Sequence, residues 1–399
     1  MSSRRILFIA PSLPYPPHWG AATRNFQFVR HLARHDEVTL LTFVQPDGAD
    51  NLEAMREFVQ RLHTVPVTRA ARDLKRPAQA LAMVTPMTYQ HLMVRSAPLQ
   101  REISSLVASV DVIQVESSQM AGFDFGSGAR LILDEHNIEH ELLGRMADIE
   151  RSPLRKAYNR LEERKFRRAE LGSWRRFDGL VFTSDREQQI AAGATPRPSI
   201  VVPNGVDLDF FRPTEIPETS NDILFTGIQS YRPNHDAAMH FAREVLPLVR
   251  REVPGARFRI AGQRPSEELQ RLAGPHIDVT GWVEDMRPNF EQAAVVVAPL
   301  RMGGGTRLKI LEALASGRPV VSTPIGCEGL AVRDGQHLLV AEEPELFARQ
   351  VVRLLRDRRL ARQLAATGRR LVELEYGWAA ITDRLRDFHG EVLEGARAA

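Results

Sequence analysis

The residues best suited to chemistry lie in Val295–Gly317, which reads VVVAPLRMGGGTRLKILEALASG. An apolar run expected as a buried strand ends at Ala298. A loop with Gly303, Gly304 and Gly305 follows. A helix is expected from Thr306 to Ser316, with Thr306 as its N-cap and Gly317 in the left-handed position after its last turn. A glycine-rich loop feeding a helix N-terminus presents unpaired N–H groups and the positive end of the helix dipole, which together attract an anion. Arg307 and Lys309 add full charges in the first turn, against the usual preference for acids there, so a negative group is expected beside them. At helical spacing Leu308, Leu311 and Ala315 share an apolar face, and Lys309, Glu312 and Ser316 a polar one. Glu312 could accept from ribose hydroxyls while the loop holds phosphates. An ordinary surface pair between Lys309 and Glu312 is the plainer alternative. There is no GxxxxGK[ST] pattern, so this is not an ATPase loop.

Other positions carry weaker signals. The loop Pro11–Gly20 ends in small residues, Gly20, Ala21 and Ala22, before a helix, where a substrate can approach the backbone. A proline-stiffened surface loop is the alternative. Tyr15 and Trp19 could stack on a sugar ring or cap the core. His136 follows the apolar run Leu131–Asp134, and open α/β sheets bind ligands outside such strand ends. A helix-start histidine with a local hydrogen bond is the alternative. His136 and His140 are four residues apart, but no third metal ligand is evident and no metal is expected. Asp207-x-Asp209 lies in a linker rather than at a strand end. Arg232, in SYRPNHD, could reach a diphosphate, and Cys327 carries no mark of reactivity.

Short apolar runs alternate with helical patterns along the chain. Ile6–Ala10, Val38–Phe43, Val112–Val115, Leu131–Asp134, Leu180–Thr183 and Ile200–Val202 are expected as strands, as are Ile223–Thr226, Phe258–Ala261, Val295–Ala298 and Pro319–Ser322. Thr23–Arg34, Asp236–Arg251 and Leu346–Arg356 are amphipathic. This alternation implies α/β architecture with doubly wound parallel sheets. Pro203–Asp222 breaks the pattern with three prolines and no periodicity. It is expected as an interdomain linker (204–222) between domains at 1–203 and 223–377, with a ligand cleft between them.

Composition sets outer limits. The 399 residues are 43% hydrophobic and 26% charged, an ordinary globular balance that excludes a disordered or collagen-like chain. A net charge of +3 is too small to imply nucleic-acid binding. One cysteine excludes an internal disulfide and a cysteine zinc cluster, and fits a reducing cytosol. No apolar stretch approaches the roughly 20 residues of a membrane helix. Arg151–Phe177 carries ten basic residues against three acidic ones, with Leu154, Tyr158, Leu161 and Ala169 at helical spacing. It reads either as a solvated helix or as a basic face on anionic lipid, with Trp174 and Phe177 favouring the second.

Six pieces, in order, resemble the group-1 (family 4) glycosyltransferases of the GT-B fold. They are ILFIAPSLPYPPHWGAATR (6–24), LILDEHN (131–137), VVPNGVD (201–207), TGWVEDM (280–286), RLKILEALASGRPVVSTPIGCEGL (307–330) and GWAA (377–380). The form GGGTRLKILEA resembles a branch found among bacterial surface- and exopolysaccharide enzymes. The resemblance implies two Rossmann-like domains facing across a cleft, with a final helix near 378–395 crossing back to the first. It implies a retaining transferase that takes a UDP- or GDP-sugar and a glycan or polyprenyl-linked acceptor, without a cofactor. His136 matches the family's active-site histidine, and Lys309, Arg307 and Glu312 complete the catalytic set. Gly303–Thr306, Arg232, Val283 and Thr323 are the expected donor contacts, and Gly20 and Ala21 the acceptor or phosphate loop. The family's usual glutamate eight residues before Glu312 is replaced by Gly304. That replacement is the one support for a rival reading, a non-catalytic degenerate partner, and among enzymes a nucleotide-sugar epimerase of similar fold is the alternative.

Overall fold

The computed structural model describes residues 3–17, 20–45, 49–67, 75–150, 152–302 and 307–395. The chain divides into two compact units: Met1–Pro203 together with Ile381–Ala399, and Asn204–Ala380. In the first, β1 (Arg5–Ala10), β2 (Glu37–Val44), β3 (Arg61–Pro66), β4 (Val112–Glu116), β5 (Arg130–Glu135), β6 (Gly179–Phe182) and β7 (Ser199–Val201) form a sheet in the order β3-β2-β1-β4-β5-β6-β7. In the second, β8 (Asp222–Thr226), β9 (Arg257–Ala261), β10 (Ile277–Gly281), β11 (Val295–Ala298), β12 (Val320–Ser322) and β13 (Leu339–Val340) form the order β10-β9-β8-β11-β12-β13. Every pairing is parallel. Parallel sheets are covered on both faces, which is why their central strands read as unbroken apolar runs.

Each strand expected from such a run forms within one residue of its expected limits. Three further strands, β3, β10 and β13, were not expected, and all three are sheet edges; β13 is a two-residue strand inside the short apolar run Leu338–Ala341. An edge strand is half solvated, so RLHTVP and IDVTG mix polar and apolar residues without a clear period.

Helix Gly20–Leu32 buries Arg24, Asn25 and Gln27 along with Phe28 and Val29. Three buried polar side chains on one short helix require partners. The last helix, Trp378–Gly395, packs from Ile381 onward in the first unit. It comes so close to β6 that a Cβ on Gly179 would lie 2.8 Å from Val392 Cγ2 and 3.0 Å from Phe388 Cε1.

The stretch 204–222, expected as a linker, is bound along the second unit. Val206 N donates to the Tyr376 carbonyl at 2.8 Å, and Arg369 donates to the Phe211 carbonyl at 2.7 Å. The fully buried Arg318 guanidinium reaches the carbonyls of Thr214 and Glu215. A chain with no ladder of its own is held by arginine donors from its neighbours. Helix Pro153–Arg176 also turns a different face inward: Glu162, Phe166, Glu170 and Trp174 are buried, whereas Leu154 is 85% exposed. The two glutamates accept from backbone N–H groups at helix starts, Glu162 from Tyr89 at 2.7 Å and Glu170 from Glu139 at 2.8 Å and His140 at 3.1 Å.

Candidate active site

In the second unit β8 lies between β9 and β11, so the strand order reverses there. Open parallel sheets bind ligands outside the carboxyl ends of their strands at such a point. Gly227 follows β8 and Gly262 follows β9, both at φ +141°, and a Cβ on Gly262 would lie 2.0 Å from the Gly227 carbonyl oxygen. Only glycine fits this contact. A Cβ on Gly227 would in turn meet Asn234 Nδ2 at 2.7 Å and Lys309 Nζ at 3.1 Å.

Lys309 Nζ donates to Asn234 Oδ1 at 2.6 Å and lies 4.2 Å from the Phe225 ring centre. Asn234 Nδ2 donates to the Ile228 carbonyl at 3.0 Å, which fixes the amide with its oxygen toward the lysine. Lys309 and Glu312 stand on helix Leu308–Ala315, one turn apart. Each keeps some contact with solvent, with protein packed on the remaining sides. Burial pulls the Lys309 ammonium down to about 7, and the Arg307 charge adds to the effect. Burial likewise pushes the Glu312 carboxyl up to about 7, opposed by Lys309. Arg307 is buried and donates to the Ile325 carbonyl at 3.2 Å. Two cations crowded at a strand end create a setting that an anion relieves.

The helix cap lies one residue later than expected. Leu308 is its first residue and Arg307 occupies the N-cap position. Gly303, Gly304, Gly305 and Thr306 lie outside the described residues. Gly317 takes the left-handed conformation at φ +68°.

The first unit repeats the logic, with β1 between β2 and β4. Arg24 forms a bidentate pair with Asp134 of β5 at 2.8 and 2.9 Å, both side chains buried. Glu116, at the end of β4, accepts from Gln114 Nε2 at 2.7 Å and pairs with His136 Nε2 at 2.8 Å. With its amide oriented by its partners, Asn25 also donates to Glu116 Oε2 at 2.8 Å and to the Ala21 carbonyl at 3.2 Å. Burial pushes the Glu116 carboxyl up, Asp134 adds to the rise, and His136 and Arg24 oppose it.

A histidine–carboxylate group at a strand end was not expected, and one is present. Ligand atoms of Glu116, Asp134 and His136 lie within 4.8 Å of one another. Arg24 engages both oxygens of Asp134, so the chain supplies its own positive charge beside these carboxylates.

Two family models cover most of the chain, Glycosyltransferase Family 4 over residues 20–210 and Glycosyl transferases group 1 over residues 220–357. The chain belongs to the group-1 glycosyltransferases of the GT-B fold. This glycosyltransferase is 24% identical over 369 residues to an uncharacterised 44.6 kDa protein of the Klebsiella pneumoniae cps region, covering 87% of this chain and 90% of that one. A phosphatidyl-myo-inositol mannosyltransferase of Mycobacterium tuberculosis is 26% identical over 55% of this chain and 61% of its own length. Among solved structures, Anabaena HepE in complex with UDP and glucose superposes with a TM-score of 0.69 at 14% identity, over 97% of this chain and all of HepE. Sucrose-phosphate synthase of Thermosynechococcus elongatus gives 0.72 at 16% identity, over 98% of this chain and all of that one.

The remaining expected site residues of the glycosyltransferase divide by position. Arg232 is the exposed first residue of the helix that carries Asn234, and the half-buried Val283 follows β10. Thr323 is buried, donating to the Leu300 carbonyl and accepting from Gly326 N at 2.9 Å, so its hydroxyl pins a loop. Gly20 opens helix Gly20–Leu32, and Ala21 joins the site through its carbonyl to Asn25. Tyr15 packs on Phe26 and Phe58 and caps the core, while Trp19 lies outside the described residues. His140 turns to Glu170, away from the Glu116 partner of His136. Asp207 Oδ1 accepts from the amides of Asp209 and Phe210, both at 3.0 Å, a turn and not a metal pair. Trp174 and Phe177 are fully buried and Lys165 donates to the Ala82 carbonyl, so the aromatics do not face lipid.

The sequence reading missed Asn234, Arg24, Asn25, Gln114 and Glu116. Gln114 and Glu116 left one signal, since they share a face of a strand buried on both sides.

Proposed function

We propose that the chain transfers a glycosyl residue, with retention, from a nucleotide-diphosphate sugar to a glycan or polyprenyl-linked acceptor in bacterial surface-polysaccharide assembly. The observation that carries this is the Lys309–Asn234–Glu312 group at the strand-order reversal of the second unit. Lys309, with Arg307 in support, balances the charge that develops on the departing diphosphate, and Glu312 accepts from ribose. In the retaining step the bond from the anomeric carbon to the diphosphate oxygen breaks. The acceptor oxygen bonds to that carbon on the same face, and the acceptor proton passes to the departing phosphate oxygen. No protein nucleophile and no metal take part. His136 orients hydroxyls of the transferred sugar.

HepE in complex with UDP and glucose, and a Mycobacterium tuberculosis relative described as GDP-mannose-dependent, support a nucleotide-sugar donor. The cps-region relative supports the polysaccharide role. Attachment to an anionic membrane is part of the proposal. No helix among the described residues is long and apolar enough to cross a membrane. Arg164, Arg167 and Arg168 are exposed on helix Pro153–Arg176, which meets helix Lys75–Val84 where Lys165 binds the Ala82 carbonyl. That second helix exposes Leu81, Met83 and Val84, the last by 83%. Apolar and basic groups on adjoining helices suit a lipid interface.

A panel of UDP- and GDP-sugars screened by thermal shift tests the donor. A ligand at 100 times its dissociation constant adds about 2.7 kcal/mol of stability. The expected result is stabilisation by one nucleotide class, followed by transfer from its sugar. No stabilisation by any member overturns the reading.

A further inference from the structure

We propose that Glu116 is a positioning residue that fixes the tautomer of His136, and that His389 of the last helix sets the polarity of the buried chain behind it. The proposal takes the role of His136 from the function above, but its geometry lies wholly within the first unit.

The chain has four members. His389 is fully buried, and burial, with the Arg4 charge adding to it, lowers its imidazole to about 3, so the ring is neutral. Its Nε2 lies 2.7 Å from Gln114 Oε1, and its Nδ1 has no hydrogen-bond partner. An amide oxygen only accepts, so the His389 proton sits on Nε2. Gln114 is thereby held with its oxygen toward the helix and its NH2 toward Glu116, to which it donates at 2.7 Å. Glu116 Oε1 receives that bond, and Oε2 receives the Asn25 amide at 2.8 Å. A carboxylate fed by two amide donors is stabilised as an acceptor despite its burial. His136 Nε2, 2.8 Å from Glu116 Oε2, is therefore the donor. The neutral imidazole carries its proton on Nε2, and Nδ1 is left bare to meet a hydroxyl.

The order of donors also dictates what an isosteric change does. In Glu116→Gln the new amide has one oxygen and one NH2. Gln114, still oriented by His389, donates to the oxygen. The NH2 then faces Asn25, whose amide turns over so that its oxygen accepts, and His136 Nε2, which must also accept, and the imidazole proton moves to Nδ1. Replacing His389 as well, in Glu116→Gln/His389→Phe, frees Gln114 to turn over and removes the preference.

Imidazole nitrogen shifts of protein labelled with nitrogen-15 histidine read this directly, at a pH where His136 is neutral and with neither donor nor acceptor present. The His136 signals are assigned by their loss in His136→Gln. The expected results are a proton on Nε2 in the wild type, on Nδ1 in Glu116→Gln, and a mixture in the double variant. A wild-type proton on Nδ1, or Glu116→Gln with the wild-type tautomer, overturns the role of Glu116. A double variant as uniform as Glu116→Gln overturns the role of His389. Should Glu116→Gln not fold, the wild-type spectrum alone decides. Because no substrate is used, failure of the transferase reading leaves this result standing, and the reverse holds too.

Discussion

Lys309→Met removes the ammonium that lies over the Phe225 ring and keeps an unbranched side chain of similar length. In the unliganded protein the Lys309 ammonium has fallen from 10.5 to about 7. That drop corresponds to roughly 5 kcal/mol of disfavour for the charge, reduced by the part of the side chain still in water. A bound diphosphate supplies the missing counter-charge and restores the proton. Near pH 8 about one in ten unliganded molecules carries it, so binding a nucleotide sugar takes up close to one proton. Affinity then falls as pH rises above about 7, by up to tenfold per unit. Charge-assisted hydrogen bonds contribute roughly 1.5–3 kcal/mol, so Lys309→Met weakens binding by about 10- to 150-fold. Stability moves the other way. A lysine whose ammonium is depressed in the fold contributes least below its folded value and most above its unfolded one. The wild type therefore loses stability as pH falls from about 10 to 7, and the variant melts at least as high at neutral pH. Calorimetry with UDP-glucose and GDP-mannose, in two buffers of different ionisation heat, measures both affinity and proton uptake. Glu312→Gln reports the share of the neighbouring carboxyl, which also titrates near 7. Unchanged affinity and unchanged uptake in Lys309→Met would refute the diphosphate contact.

Arg24→Met leaves Asp134 buried without its bidentate partner, which should lower the stability of the first unit by about 3–5 kcal/mol in urea unfolding, and adding Asp134→Leu should restore most of it. Glycosyl transfer should persist in EDTA, and complete loss with recovery on Mg²⁺ or Mn²⁺ would show that transfer requires a divalent cation. Arg164→Gln/Arg167→Gln/Arg168→Gln should reduce co-sedimentation with anionic vesicles at low salt, each charge contributing about 1 kcal/mol, and equal binding to neutral vesicles would exclude a charge-driven attachment.

Central strands and the glycine-preceded lysine were readable because they follow from local pattern. Three of the four edge strands were not: β3 and β10 mix polar and apolar residues because they are half solvated, and β13 contributes only two residues. Helix Pro153–Arg176 misled in a different way. Its inward stripe contains Glu162 and Glu170, and nothing local says that a glutamate will be buried on the N–H groups of two other helices. The Lys309 partner Asn234 lies 75 residues away, and Gln114 meets His389 across 275. Such contacts depend on where the sheet brings chain segments together. Arg24 looked like one polar residue on an amphipathic helix, and only Asp134 opposite it explains why it is buried.

The sharing of the first unit between both ends of the chain sets an order of events during synthesis. Asp36 waits for Arg386, Gln114 for His389, and the bare backbone at Gly179 for Phe388 and Val392. At a ribosomal rate of about 5–20 residues per second, roughly 10–35 s separate Pro203 from Ile381. The second unit is one continuous stretch and can close within that interval. The first unit stays open along one side until the last helix leaves the ribosome. A chain that stops before Ile381 therefore carries a finished second unit and a first unit in which Asp36, Gln114 and Gly179 lack the partners that the last helix supplies.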